Sequence, residues 1–362
     1  MSRIASVGLG IPKYSMTQEN VKTYMMQIYT NNQEELHRLL PVFDHALIEE
    51  RQFVVNQEWF LHPHTFAERN RYYQEHAQTY ALKAIDECLT DKTFLKKSIP
   101  YEAIDLIIFI SSTGIATPTI DVYLSNERPF RESMERMPLW GLGCAGGAIG
   151  LSRAHDYLQA YPEKSVLVIC VEFCSLAFQK DDFDKSHIIG TALFGDGAAS
   201  ILLLGEQSPY LSYTTHPSPK IVTSHSLTKK QTTDIMGWDI TDRGFEVIFS
   251  KEIPQLVHVF WKKHVTEFLN TVNLSPEQIT YMIAHPGGRK VLEAMEDSLS
   301  LPSKALQFSY DVLRDHGNMS SATVYYVINQ WLRQGPPQTP EKNILCALGP
   351  GFSSELLLLE WG

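Results

Sequence analysis

The chain of 362 residues is poor in cysteine, poor in positive charge and free of long apolar runs. Its five cysteines, at positions 88, 144, 170, 174 and 346, are odd in number and scattered. That excludes a secreted disulfide framework and fits a reducing compartment. Cys170 and Cys174 have the spacing of a metal-binding pair, but no third and fourth ligand group accompanies them, so no metal is expected. Lys and Arg total 31 against 41 Asp and Glu, a formal charge of −10. A nucleic-acid binder normally presents a net basic face, and that class is excluded. An anionic substrate would need a local basic patch against the global field. No apolar run approaches the ~20 residues of a membrane span. The opening MSRIASVGLGIPKY has no signal-peptide core. The expectation is a cytoplasmic protein without a transmembrane segment.

What is present is alternation. RIASVGLGIP reads as a strand ending in a turn, and TQENVKTYMMQIY as a helix with Thr17 as its N-cap. Residues 64 to 89 read as a helix. AIDLIIFISSTG, SVLVICVEF and AASILLLGE are continuous apolar runs of strand length, suited to a sheet covered on both faces. ITYMIAH, KNILCAL and SELLLLEW follow in the second half, with helices expected at about 248–273, 288–299 and 319–333. The class is α/β. The order also repeats. A strand from Ile104 precedes a helix opening at Cys144, and a strand from Ile279 precedes a helix opening at Asn318. The offset is about 175 residues, close to half the chain. Residue identity between the halves is negligible, so either a duplicated unit or a coincidence of order explains it. A true duplication would bring the two helix starts together.

In PLWGLGCAGGAIGLSRAHDYL a single thiol, Cys144, stands among glycines and alanines before a helix. A helix start offers free N–H groups and a positive dipole end, which favour a thiolate. Ala145, Gly146 and Gly147 would let a thioester approach. A buried structural cysteine is the competing reading. MIAHPGGRK puts His285 at the end of a strand, either as a catalytic group or as a satisfied histidine. LRDHGNMSSATVYYVI puts Asn318 at a helix start, either as an amide donor or as a plain N-cap. The three fall where the repeat would bring them together.

These stretches carry a family resemblance. GLGCAGGA, IAHPGG, GNMSSATV, GTALFGDGAAS and ALGPGFSSELLLLEW resemble type III polyketide synthases, the chalcone synthase-like branch of the thiolase fold. Within that branch the likeness is to bacterial, Bacillus-type members that form alkylpyrones, and it covers nearly the whole chain. It implies a homodimer of thiolase-like, duplicated five-layer α/β/α/β/α subunits. Residues 1–205 would form the half with the nucleophile, and residues 206–362 the half with the histidine and asparagine. It implies Cys144, His285 and Asn318 as the catalytic set.

The mechanism implied is acylation of Cys144 by a medium- or long-chain acyl-CoA starter. Malonyl-CoA then loses CO₂, and His285 and Asn318 donate to the enolate oxygen. No carboxylate is adjacent in these motifs to oppose that charge. Repetition and cyclisation would give triketide or tetraketide alkylpyrones, with CoA thioesters as substrates and no cofactor. Phe194 resembles an entrance guard, and Val247 stands where plant enzymes have a second phenylalanine. Gly190, Phe245 and Ser320 match positions that shape the cavity. Cys174 and Ala177 replace threonines, and Thr117 falls where a side chain crosses the dimer interface. Together these predict a wider, less polar cavity. The region binding CoA phosphates in plant relatives reads QEELHRLLPVFDHALIEERQF here, leaving Arg38 and Arg51 as CoA-binding candidates, with His37 or His45. A depleted phosphate site also leaves loading from an acyl carrier protein open, against the unfavourable negative charge. The alternatives are a single-condensation enzyme of β-ketoacyl synthase III or hydroxymethylglutaryl-CoA synthase type, a papain-like cysteine hydrolase, or an inactive scaffold.

Overall fold

The computed structural model describes residues 1–30, 33–302 and 304–361. Thirteen strands are β1 (Ser2–Gly10), β2 (Tyr14–Thr17), β3 (Glu50–Phe53), β4 (Leu106–Ser111), β5 (Glu135–Trp140), β6 (Ser165–Phe173), β7 (Asp196–Gly205), β8 (Lys220–Thr228), β9 (Met236–Thr241), β10 (Gly244–Phe249), β11 (Met282–Ala284), β12 (Glu341–Gly349) and β13 (Ser353–Trp361). Nine of them follow the order β11-β12-β13-β8-β1-β7-β6-β4-β5. The β1–β7 ladder runs from Ser2 with Gly205 to Gly10 with Ala198. The β1–β8 ladder has only two partner pairs, Ser2 with Ile221 and Arg3 with Lys220. The sheet is therefore two blocks joined at one corner.

The helices Gly146–Ala160 and Thr323–Arg333 fill the space between the blocks. The first touches β4 and β6 in one block and β12 and β13 in the other, and the second touches β1, β7 and β11. The helix Phe66–Thr90 lies against β1 and β7, and the helix Lys262–Thr271 against β13. Neighbouring side chains on β13 show the layering. Ser354 is bonded to His264 of the outer helix at 2.8 Å, while Glu355 accepts from Ser152 of the central helix. Adjacent strand residues point to opposite faces, so β13 is covered on both sides. The layers run α/β/α/β/α, as the resemblance implied. Every residue of β6 and β7 is buried, which explains why those strands read as unbroken apolar runs.

Local signals set the helix boundaries. Thr17 caps the helix Gln18–Ile28, its side chain accepting from Asn20 N at 3.3 Å. Thr65 and Glu68 form a reciprocal capping box at the start of Phe66–Thr90. The helix expected from about residue 248 begins at Ile253 instead, because Gly244–Phe249 pairs with Met236–Thr241 as a hairpin. Those strands are short and half-exposed, so the apolar alternation that marks a buried strand is weak there. The helices Lys185–Leu193 and Gln307–His316 were not anticipated.

The two central helices each follow a 3₁₀ turn, Gly143–Ala145 and Ser320–Ala322, and these turns touch each other. The two helix starts thus meet, as a duplication requires. Glycines around Cys144 serve this meeting. A Cβ on Gly147 would overlap the Ser321 carbonyl oxygen and lie 2.8 Å from Val324 Cγ1. A Cβ on Gly143, whose φ is +48°, would lie 2.7 Å from Pro350.

A glycine in a helix interior ordinarily costs about 0.5–1 kcal/mol relative to alanine. At position 147 overpacking, typically about 1–3 kcal/mol, outweighs that gain. Gly147→Ala is expected to lower the urea unfolding midpoint, and a raised midpoint would show that the two turns have room to part.

Candidate active site

Cys144 sits in the 3₁₀ turn before the helix Gly146–Ala160 and is half-buried. Its turn is tied to the end of β4 through Gly143 N, which donates to Ser112 Oγ at 3.0 Å. Asn318 faces it across the junction of the halves. The cysteine Sγ lies 3.9 Å from Asn318 Oδ1 and 4.0 Å from Nδ2. Ser320 N donates to Oδ1 at 2.8 Å, and Nδ2 donates to the Gly287 carbonyl at 3.3 Å. A backbone N–H requires an acceptor, so these partners fix the amide orientation. His285 follows β11 directly, its N–H donating to Cys346 O at 2.8 Å. Gly287 lies beneath the ring, so that a Cβ there would be 3.8 Å from Nε2. The structure therefore brings Cys144, His285 and Asn318 to one place.

The electrostatics differ from the simple expectation. Burial is the main influence on the Cys144 thiol, pushing it up to about 12, and hydrogen bonds from Ser320 and Asn318 offset this only in part. The helix start does not by itself produce a thiolate. His285 is 3% exposed, and neither ring nitrogen has a hydrogen-bond partner among the described residues. Burial lowers its pKa to about 3. At rest Cys144 is a thiol and His285 a neutral imidazole.

One carboxyl at this site escaped the sequence reading. Glu172, on β6, is fully buried. It accepts from Ser112 N at 3.0 Å, Thr113 Oγ1 at 2.9 Å and Ser321 Oγ at 2.5 Å. Ser112 in turn holds the Cys144 turn, and Ser321 sits in the facing turn. Burial pushes Glu172 up to about 7, against the lowering effect of those donors. Its negative charge raises the Cys144 thiol further. This carboxyl reaches the site from β6, outside the motifs that carry Cys144, His285 and Asn318. The available signal was a lone glutamate in SVLVICVEF, a strand with both faces covered.

Beside this cluster lies a mostly apolar cavity that opens to solvent. Five expected residues line it: Cys174, Ala177, Gly190, Phe194 and Val247. Phe194 adjoins the reactive cluster directly, because its backbone forms an isolated parallel bridge with Asn318. Ser320 lies at Cys144 instead, with φ +48°. Phe245 is buried behind the wall, against Trp238 at 6.1 Å and Phe66 at 5.5 Å. Thr117 is exposed on the loop after β4 and does not reach this cavity. The extra width expected from Val247 is partly taken up by Trp238, its direct cross-strand partner. That indole lines the cavity and packs on Phe194 at 5.6 Å. The sequence reading missed Trp238, and also Met25, Phe53 and Phe60 on the opposite wall.

Of the two CoA-binding candidates, Arg38 is exposed on the helix Gln33–Leu39. Arg51 is 1% exposed, and its guanidinium is engaged by the Thr191 and Phe194 carbonyls and by Gln18. It cannot meet a phosphate from solvent, which corrects that expectation. Cys170 and Cys174 are both buried, and among the described residues no group of three or more His, Cys, Asp or Glu could hold a metal ion. No helix among them is long and apolar enough to cross a membrane.

The sequence and fold match a known group. The profile for the N-terminal domain of chalcone and stilbene synthases matches residues 1–207, and that for the C-terminal domain matches residues 221–361. The chain is 45% identical over 361 residues to a Bacillus subtilis (strain 168) protein named "Putative chalcone synthase", covering 100% of this chain and 99% of that protein. It is 37% identical over 258 residues to a 1,3,6,8-tetrahydroxynaphthalene synthase of Streptomyces peucetius subsp. caesius, covering 71% of this chain and 67% of that protein. The crystal structure of 1,3,6,8-tetrahydroxynaphthalene synthase from Streptomyces coelicolor A3(2), a bacterial type III polyketide synthase, aligns over 99% of both chains. The TM-score is 0.89 at 25% identity. The fold is that of thiolase-fold, acyl-condensing transferases. Within that class the chain belongs to the chalcone and stilbene synthase family, the type III polyketide synthases. The hydrolase and scaffold readings are set aside.

Glu172→Gln is expected to lower the pH at which Cys144 becomes reactive, because ionisation of Glu172 above about pH 7 opposes thiolate formation. Iodoacetamide alkylation of Cys144 at pH 8, followed by mass spectrometry, should be severalfold faster. The folded state holds the Glu172 proton more tightly than the unfolded chain. Its stabilising contribution is therefore full below the ordinary glutamate range and lost as pH rises through about 7. The substitution should diminish that pH dependence in urea titrations at pH 5 and 8. Unchanged alkylation would mean that Glu172 does not act on the sulfur.

Proposed function

We propose that this enzyme condenses malonyl-CoA onto a medium- or long-chain acyl-CoA starter held on Cys144, releasing triketide or tetraketide alkylpyrones. The observation that carries the reading is the apolar cavity joined to the Cys144–Asn318 contact through Phe194. In the loading step the Cys144 proton passes to His285. The thiolate displaces CoA from the starter, giving an acyl-cysteine thioester, and the departing CoA thiolate takes the proton from His285, which is left neutral. In the extension step malonyl-CoA loses CO₂, and the released electron pair forms an enolate. The His285 ring and Asn318 Nδ2 donate to its oxygen. The enolate carbon attacks the acyl-cysteine, a carbon–carbon bond forms and Cys144 leaves as thiolate. Before each further extension the Cys144 thiolate takes the chain back from the product thioester and releases CoA, and after two or three extensions an enol oxygen of the product attacks the terminal thioester, closing a pyrone and releasing CoA.

The reading also holds that residues 1–205 carry the nucleophile and residues 206–362 its two partners. The protein works as a cytoplasmic homodimer, with Thr117 crossing to the second copy. Arg38 is the basic residue retained for CoA. The profile boundaries near residue 207 and the exposure of Thr117 and Arg38 support these points.

An apolar cavity gains ~0.8 kcal/mol for each further methylene buried, roughly fourfold per step in a competition. In an equimolar mixture, lauroyl- or palmitoyl-CoA should be consumed in preference to p-coumaroyl-CoA. Val247→Phe should shift the preference towards short starters by crowding Trp238 and Phe194. Product analysis by liquid chromatography and mass spectrometry reads both. Preference for p-coumaroyl-CoA, or acylation of a cysteine other than Cys144, would overturn the reading.

A further inference from the structure

Arg51 was expected at a phosphate, and the structure gives it a different place. It lies on β3 with its side chain wedged between the segments that carry Phe194 and Asn318. Nη1 donates to the carbonyls of Thr191 and Phe194, both at 2.6 Å. Nη2 donates to Gln18 Oε1 at 2.7 Å, and Gln18 Nε2 donates onward to the Ala192 carbonyl at 2.9 Å. The stem lies against Gly317, where a Cβ would be 2.7 Å from Arg51 Cδ. Gly317 precedes Asn318 and has φ +68°, so a side chain there would meet both backbone strain and the arginine.

The head of Arg51 thus holds Phe194, and its stem bounds the residue before Asn318. Those two residues are joined by the bridge, with Asn318 N donating to Leu193 O at 2.9 Å and Gly195 N to Asn318 O at 3.0 Å. A buried guanidinium on neutral carbonyls is costly, and an apolar side chain of similar size would fill the volume. What an apolar residue cannot supply is a rigid fork reaching three acceptors in fixed directions.

We infer that Arg51 is a positioning residue for Asn318, locking the Phe194–Asn318 bridge so that the amide stays over the Cys144 sulfur. The inference rests on the enolate-stabilising role proposed for Asn318. Arg51 touches neither substrate nor reacting atoms. Its effect falls on the step that needs the amide, decarboxylation of malonyl-CoA, and spares loading of Cys144.

The test compares two half-reactions in the full-length enzyme: acylation of Cys144 by lauroyl-CoA, read by intact-protein mass spectrometry, and release of labelled CO₂ from malonyl-CoA. Losing one oxyanion donor costs on the order of 10²–10³, and a misplaced one costs part of that. Arg51→Lys should slow decarboxylation roughly tenfold and change loading by less than about twofold. In an Asn318→Ala background it should slow decarboxylation no further. Gln18→Leu, which removes one acceptor of the fork with less disturbance to folding, should give the same selectivity at smaller size. Equal losses in both half-reactions, or an undiminished further loss in the Asn318→Ala background, would overturn the inference while leaving the role of Asn318 intact. Full decarboxylation by Asn318→Ala alone would overturn that role and the inference with it.

Discussion

The Ser321 carbonyl rests against Gly147 with no Cβ between them, and the Gly143 turn rests against Pro350 in the same way. Through these two contacts the halves of the molecule approach closely enough for a residue of one to reach a residue of the other. Cys144 belongs to the first half and Asn318 to the second, yet their side chains are about 4 Å apart. The cavity wall depends on the same junction. Phe194 comes from the first half and is fastened by backbone pairing to Asn318 of the second. A shift of one helix start would therefore disturb the nucleophile, the amide and the gate together.

Close packing also governs the charge state. Burial holds Cys144 as a thiol and His285 as a neutral ring, and it holds Glu172 near half-protonation at neutral pH. Cys144 and His285 are thus uncharged at neutral pH, and Glu172 carries a partial charge. Glu172 tightens this balance through hydrogen bonds, since its donors Ser112 and Ser321 belong to the elements that frame the two turns.

The interior of this fold was legible in the sequence, and its periphery was not. β6 and β7 are buried on both faces, so their composition alone declares them. The β9–β10 hairpin is half-exposed, its alternation is blurred, and a helix was expected across part of it. Trp238 was missed for that reason, although it decides how much room Val247 leaves. The reactive cluster was legible through its motifs, because GLGCAGGA, IAHPGG and GNMSSATV each lie at an element end where the backbone geometry is demanding. Glu172 and Arg51 were not legible. A charged letter in a sequence reads as solvent-facing, and only the surrounding donors and acceptors reveal that it is buried.

The central helix Gly146–Ala160 packs not only on its own block but also on β12 and β13, residues 341–361. During synthesis on the ribosome that apolar face therefore waits, uncovered, for some 180 further residues to emerge, about 10–40 seconds at typical elongation rates. The first half has no complete partner for its inner face in that interval. Apolar surface exposed in that way is prone to association with other chains before the second half arrives to cover it.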